Sequence, residues 1–178
     1  MEVKEGPANP FVETCLTTTL AFLQVYLHGG ALGFFNSVVR SHGVSEAAGT
    51  ALCITLRAHN DFYSQTANLK ERGLPQTCTG LRQLPDFIAC PKKGGKVVVN
   101  KTGLGSSAAL TTALVGSLLQ FFKAVALEEV GSPRSTERGR ALVHNLAQIC
   151  HCTAQGKIGS GFDVSAAVYG SQVYMRFS

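Results

Sequence analysis

Between Lys101 and Ala108 the chain reads Lys-Thr-Gly-Leu-Gly-Ser-Ser-Ala. A lysine, hydroxyl side chains and two glycines in so short a stretch are the ingredients for holding an anion. Glycine lets the backbone turn to positive φ and lets a ligand approach with no Cβ in the way. A helix starting just beyond the loop offers unpaired N–H groups and the positive end of its dipole. That combination suits phosphate. The spacing excludes two familiar loops. No Gly-Lys-Ser/Thr follows four residues after a first glycine, and Gly103-Leu104-Gly105 lacks the third glycine of the dinucleotide fingerprint. A plain strand-to-helix turn, with Ser106 or Ser107 as its N-cap, would use the same residues.

Three other groups of residues are candidates for chemistry. In Gln155-Gly156-Lys157-Ile158-Gly159-Ser160-Gly161-Phe162-Asp163 the glycines interleave with Lys157, Ser160 and Asp163. A flexible backbone there would let an ammonium and a carboxylate approach a crowded anionic site; the bland alternative is Asp163 capping a helix from Val164. His59-Asn60-Asp61-Phe62-Tyr63-Ser64 is a polar turn running into aromatics, where Asn60 or Asp61 could simply bond its own backbone. Cys150-His151-Cys152, with His144 nearby, raises zinc or a Cys–His nucleophile. Neighbouring helical side chains diverge and tetrahedral sites use spacings of two to four residues, which argues against the metal.

The elements that must position these residues follow from pattern. Asn9-Pro10 marks a helix start, and Phe11–Leu27 carries Phe11, Cys15, Thr18/Thr19, Phe22 and Tyr26 near one face, ended by Gly29-Gly30. Residues 31–49 are ambiguous between strand and helix. Ala51–Leu56 reads as a strand, and Gln65–Arg72 as a short helix stopped by Gly73 and Pro75. Residues 74–95 read as loop, ending in an exposed connection at Lys92-Lys93-Gly94-Gly95. Val97–Val99 is a strand. Leu110, Leu114, Leu118, Phe121 and Val125 predict a helix to about Leu127. Glu128–Arg140 is a polar connection with a possible cap at Ser135-Thr136. Leu142, Leu146, Ile149 and Thr153 predict a helix to about Gln155, Val164–Tyr169 a short helix, and Gln172–Phe177 a strand.

Composition bounds the class. A chain of 178 residues that is 45% hydrophobic and 15% charged describes one globular domain with a real core. The net charge of +5 suits an anionic ligand. Nucleic acid is not indicated, because no Lys/Arg run exceeds two residues and no aromatic ladder accompanies the basic ones. The six cysteines form no CxxC pair, and with no signal-like start they read as reduced cytosolic thiols. No stretch reaches the roughly 20 apolar residues that span a bilayer.

Lys101–Ala109 resembles the phosphate-binding motif of the GHMP kinases, which act on galactose, homoserine, mevalonate and phosphomevalonate. Asn9-Pro10-Phe11-Val12-Glu13, then Asn60-Asp61-Phe62-Tyr63-Ser64, then His144-Asn145-Leu146-Ala147-Gln148 through Ala154–Val164 resemble the phosphomevalonate kinase branch, in the family's order. The resemblance implies an α+β fold, with an N-terminal-type domain built on a left-handed β-α-β crossover. Measured against that pattern, residues 1–178 are expected to be an incomplete N-terminal, ATP-binding domain, without the Pro-Gly-Lys type motif before the first helix and without the C-terminal GHMP domain. Cytosol and peroxisome are both open for a complete protein.

The resemblance also implies ATP and Mg²⁺ as cofactors and 5-phosphomevalonate as acceptor. Lys101, Thr102, Gly103, Leu104, Gly105, Ser106, Ser107 and Ala108 would hold ATP, with Ser107 ahead of Ser106 as Mg²⁺ ligand. Asn60, Asp61 and Ser64 would line the acceptor pocket, joined by Lys157 and Ser160. Asp163, Lys157 and Lys101 would be the catalytic side chains. A phosphate nucleophile is already largely ionised near neutral pH, its second pKa being about 6, so Asp163 is expected to orient Mg²⁺ or a lysine more than to remove a proton. The rival readings are another GHMP kinase, such as mevalonate kinase, and a non-catalytic protein that only binds nucleotide.

Overall fold

The computed structural model describes residues 9–27, 52–126 and 133–175. The chain divides into two compact units, one from Met1–Leu52 with Ser107–Ser178 and the other Cys53–Ser106.

The first unit is helical. Helix α1 is Pro10–Tyr26. The Asn9 carboxamide accepts from the Phe11 N–H at 3.1 Å, and Pro10 stands where no hydrogen-bonding N–H is needed. Its buried face is Cys15, Thr19 and Leu23, whereas Tyr26 lies at the exposed end. Helix α4, Ser106–Phe121, enters this unit at Ser107. It closes on Lys123 at φ 56, with Lys123 N–H bonded to Gln120 O and Ala124 N–H to Leu119 O. That left-handed cap ends the helix short of the predicted Leu127, although the apolar spacing continues. Helix α5 is Pro133–Gln155, so it begins ahead of the expected Ser135-Thr136 cap. Helix α6 is Phe162–Tyr169.

The buried stripe of α5 is Val143, Leu146, Ala147, Cys150 and His151, repeating at three and four residues. It is displaced from the predicted one: Ile149 is 56% exposed and Thr153 is exposed. Helix α5 packs on α1 and on α6. Cys15 and Cys150 meet inside, and their shared hydrogen bond, with burial, keeps the Cys15 thiol proton well above the ordinary range. Leu23, Val115, Leu119 and Val164 complete the core, each fully buried. Burial of one such side chain is worth about 1.5–3 kcal/mol.

The second unit holds a 3₁₀ turn, Asn60–Phe62, helices α2 (Thr66–Glu71) and α3 (Cys78–Leu81), and strands β1 (Lys92–Lys93) and β2 (Lys96–Val97). β1 and β2 pair antiparallel, with Lys92 opposite Val97. The turn between them is Gly94-Gly95, at φ 56 and 76, the double positive φ that a tight hairpin requires. The expected loose connection is therefore a hairpin turn. The strand expected at Val97–Val99 shrinks to β2 (Lys96–Val97), and 52–56 and 172–175 form no strand among the described residues. Among the described residues the fold is thus mixed, mostly helix with little strand, and no β-α-β crossover is seen. The expectations at residues 29–49, 127–132 and 176–177 lie outside the described residues.

Candidate active site

In the second unit the glycine loop and the Asn60–Ser64 turn run side by side. Ser64 N–H bonds to Asn100 O at 2.8 Å, Thr102 N–H to Phe62 O at 3.1 Å and Thr102 Oγ1 to Asp61 O at 2.7 Å. Tyr63 and Lys101 form a β-bridge. Two stretches far apart in sequence are thus zipped backbone to backbone. Gly103 sits at φ 84 and Gly105 at φ 73, and a Cβ at Gly103 would meet nothing within 4 Å. The demand for glycine at 103 therefore comes from the backbone, and the space above it is open to a ligand. Lys101, Thr102 and Leu104 are exposed.

Asn60 is buried, and its amide is fully engaged: Oδ1 accepts from Ile88 N–H at 2.9 Å and Nδ2 donates to Pro85 O. It brackets the 85–88 segment with both ends of its side chain. The side chains of Ser64 and Thr66 are 3.3 Å apart at the mouth of a cavity of about 270 Å³, which Lys70 and Asn100 also line. Tyr63 lines it too, its phenol pushed above the usual range by burial and, secondarily, by the Cys90 thiol. Asp61 lies 77% exposed by its side chain, 3.4 Å from His59 Nδ1.

In the first unit, Ser107 and Asp163 converge on one nitrogen. His151 Nε2 is 3.2 Å from Ser107 Oγ and 3.8 Å from Asp163 Oδ2. The ring is 4% exposed and packs against Phe11 with centroids 5.5 Å apart. Gln155 Nε2 lies against its edge, 3.1 Å from Nδ1 and 2.8 Å from Nε2. Three helices thus meet at His151: α4 brings Ser107, α6 brings Asp163 and α1 supplies the apolar wall.

Local chemistry explains how each residue arrives there. Gly156, at φ 67, ends α5 in a Schellman cap, with Gly156 N–H on Thr153 O and Lys157 N–H on Cys152 O. Gly161, at φ 72, starts α6 and lies so close to the Gln148 carboxamide that a Cβ would sit 2.8 Å from its oxygen. Asp163 then falls in the first turn of α6, where Oδ1 accepts from Val164 N–H at 2.9 Å and Oδ2 remains to face His151. Asp163 is therefore not the cap, a place taken by Gly161, but a residue of the first turn whose carboxylate also faces His151. Lys157, Ser160 and Asp163 line one cavity of about 140 Å³ with His151 and Gln155. Lys157 and Ser160 are exposed.

The cysteines flanking His151 face apart, Cys150 into the core with Cys15 and Cys152 toward Gln148 Nε2 at 3.3 Å. Among the described residues no group of three His, Cys, Asp or Glu is placed to hold a metal. Ser107 Oγ and Asp163 Oδ2, two oxygens near one nitrogen, do fit Mg²⁺, which takes few protein oxygens and keeps its remaining positions for water and phosphate. Pattern reading missed His151 and Gln155 as members of this cluster. Their signal was faint: a histidine on the buried stripe of α5, with an amide one turn later.

The sequence comparisons agree on one family. Residues 93–171 match the family described as GHMP kinases N terminal domain. The phosphomevalonate kinase of Aspergillus fumigatus is 40% identical over 98% of this chain and 29% of its own length. The peroxisomal phosphomevalonate kinase of Arabidopsis thaliana is 45% identical over 71% of this chain and 27% of its own. The phosphomevalonate kinase of Saccharolobus solfataricus is 42% identical over 44% of this chain and 20% of its own. The chain spans less than a third of the length of these relatives. No solved structure matches it significantly.

Proposed function

We propose, from the match of residues 93–171 to the GHMP kinase N-terminal domain family, that the chain is the nucleotide-binding part of a phosphomevalonate kinase. The reaction is transfer of the ATP γ-phosphoryl group to 5-phosphomevalonate, giving ADP and 5-diphosphomevalonate. The observation that carries the proposal is the convergence of Ser107 and Asp163 at His151, which joins two motifs that are distant in sequence. We also propose the left-handed β-α-β crossover of the family, the domain assignment over 1–178, and a cytoplasmic or peroxisomal location. The peroxisomal phosphomevalonate kinase of Arabidopsis thaliana supports the peroxisomal option. Among the described residues no helix is long and apolar enough to cross a membrane.

The chain's own groups would divide the work as follows. Backbone N–H groups from Gly103 to Ala108 cradle the polyphosphate, where the open face of Gly103 admits it closely. Ser107 and Asp163 hold the divalent ion, which when bound spreads the charge that develops on the transferred group. Two phosphate-bearing molecules repel each other, so fixed cations are needed, and electrostatic preorganisation of this kind is usually the largest catalytic term. Lys157 serves the acceptor phosphate and Lys101 the nucleotide. Asp61, Ser64 and Ser160 position the acceptor, while Asn60 shapes that side through its hold on residues 85–88. Asp163 removes no proton, because the attacking phosphate oxygen already carries its charge.

The test is to incubate the purified chain with Mg·ATP and 5-phosphomevalonate and follow the product by ³¹P NMR. A new diphosphomonoester signal alongside ADP is expected. Transfer to mevalonate instead would establish the other GHMP kinase reading, and ATP binding without transfer the non-catalytic one.

A further inference from the structure

Nothing in the proposed reaction assigns a task to His151, yet it is the most constrained polar side chain of the first unit. We infer that His151 is a positioning residue whose Nε2–H bonds the Ser107 hydroxyl and faces the Asp163 carboxylate across 3.8 Å, setting the start of α4 against the start of α6. The inference rests on the phosphoryl-transfer reading above and adds to it a positioning role for a residue that the reaction itself does not use.

The tautomer follows from the neighbours. A carboxylate can only accept a hydrogen bond and an amide nitrogen can only donate one. Gln155 Nε2 lies within reach of both ring nitrogens, 3.1 Å from Nδ1 and 2.8 Å from Nε2, but only Nε2 also faces Asp163 Oδ2 at 3.8 Å. The assigned tautomer carries its proton on Nε2, which gives Ser107 Oγ and the Asp163 carboxylate a donor to face; Gln155 Nε2, 2.8 Å from that nitrogen, then has to turn toward Nδ1 to donate. That proton points at Ser107 Oγ, 3.2 Å away. The serine lone pair left over, and the remaining lone pairs of the Asp163 carboxylate, whose Oδ1 already accepts from Val164 N–H, stay available for other partners. With His151 only 4% exposed, an unmet ring nitrogen would be costly. Phe11, packed at 5.5 Å, fixes the ring plane from α1.

Holding matters here because Asp163 follows a run of glycines and Ser107 follows another, so neither backbone alone fixes its side chain. A misplacement of about 1 Å at a reacting centre costs on the order of 10²-fold in rate. Replacing the ring by His151→Phe keeps the volume and removes the donor, whereas His151→Gln keeps a donor near the position of Nε2.

Two measurements test this. In the ¹⁵N-labelled chain, long-range ¹H–¹⁵N correlation of the His151 ring is expected to show the proton on Nε2, with the Nε2 resonance shifted by Ser107→Ala. A proton on Nδ1, or no response to Ser107→Ala, overturns the inference whatever the enzyme does. In the phosphoryl-transfer assay, His151→Phe is expected to lower kcat on the order of 10²-fold with the KM for ATP within about twofold. His151→Gln should recover most of that loss, and His151→Phe should cost little further in a Ser107→Ala background. Equal kcat for wild type and His151→Phe, or His151→Gln no better than His151→Phe, overturns it. Should His151→Phe not fold, the comparison of His151→Gln with wild type decides: a rate near wild type supports the positioning role, and a loss as large as that of Ser107→Ala removes it. Absence of transfer by the wild-type protein would refute the proposed function and leave the tautomer to decide this inference alone.

Discussion

Ser107 shows how a single residue type can be read for chemistry before its surroundings are known. Its hydroxyl lies 3.2 Å from a buried imidazole nitrogen and follows a glycine turn, so it is pre-positioned at no cost in side-chain freedom at the moment of binding. Ser107→Ala is expected to depress kcat by at least about tenfold while leaving ATP affinity within a few fold, as measured by steady-state kinetics beside equilibrium nucleotide binding. Equal losses in both would remove the metal-ligand role. Asp163→Asn should lower kcat without changing the shape of the pH–rate profile, because no proton is taken by that carboxylate; loss of an acidic limb on substitution would show the opposite. Gly161 is constrained twice, by φ 72 and by the Gln148 carboxamide at 2.8 Å. Gly161→Ala should therefore destabilise the fold by more than the ~1–2 kcal/mol of a left-handed residue alone, read by chemical denaturation.

At the scale of elements, the helices carry the information and the strands do not. Helices α1, α2 and α6 fall within a residue or two of where their caps and apolar spacing put them, because Asn9-Pro10, Gly73 and the glycines around α6 act locally. Strands depend on partners elsewhere, which is why Ala51–Leu56 and Val97–Val99 could not be confirmed from alternation. Asn60 is the clearest element-level surprise. As a turn residue it could have bonded its own backbone; it joins the 3₁₀ turn to residues 85–88 instead. Asn60→Ala would remove the partners of the Ile88 N–H and the Pro85 carbonyl; both bonds are part-buried, so the loss is expected below the ~1–3 kcal/mol of each fully buried unmet group. Hydrogen exchange should show residues 85–88 opening more readily, with the core of α1, α4 and α5 unaffected. Conversely Leu119→Ala, a fully buried change in α4, should cost roughly 3–5 kcal/mol of stability in the first unit.

At the scale of the molecule, the basic chain and the proposed nucleotide loop predict a linked equilibrium between folding and ligand. Mg·ATP at about 100 times its Kd should stabilise the native state by about 2.7 kcal/mol, seen as a rise in melting temperature. Chelating the divalent ion with EDTA should reverse most of that rise; a melting temperature indifferent to nucleotide would contradict the proposed site.

The amino-acid sequence alone determined the chemistry on offer and most helix positions. Glycine turns, hydroxyls, lysines and the aspartate announce themselves by type, and caps and apolar periodicity act within a few residues of one another. Only the tertiary structure decided which of those residues meet. The ring of His151 joins Ser107 to Asp163 because α5 packs its buried stripe toward α1 and α6, and the displacement of that stripe from Ile149 to Cys150 and His151 turns the imidazole inward. Long-range packing of this kind is set by the sum of many weak contacts, and no local spacing encodes it.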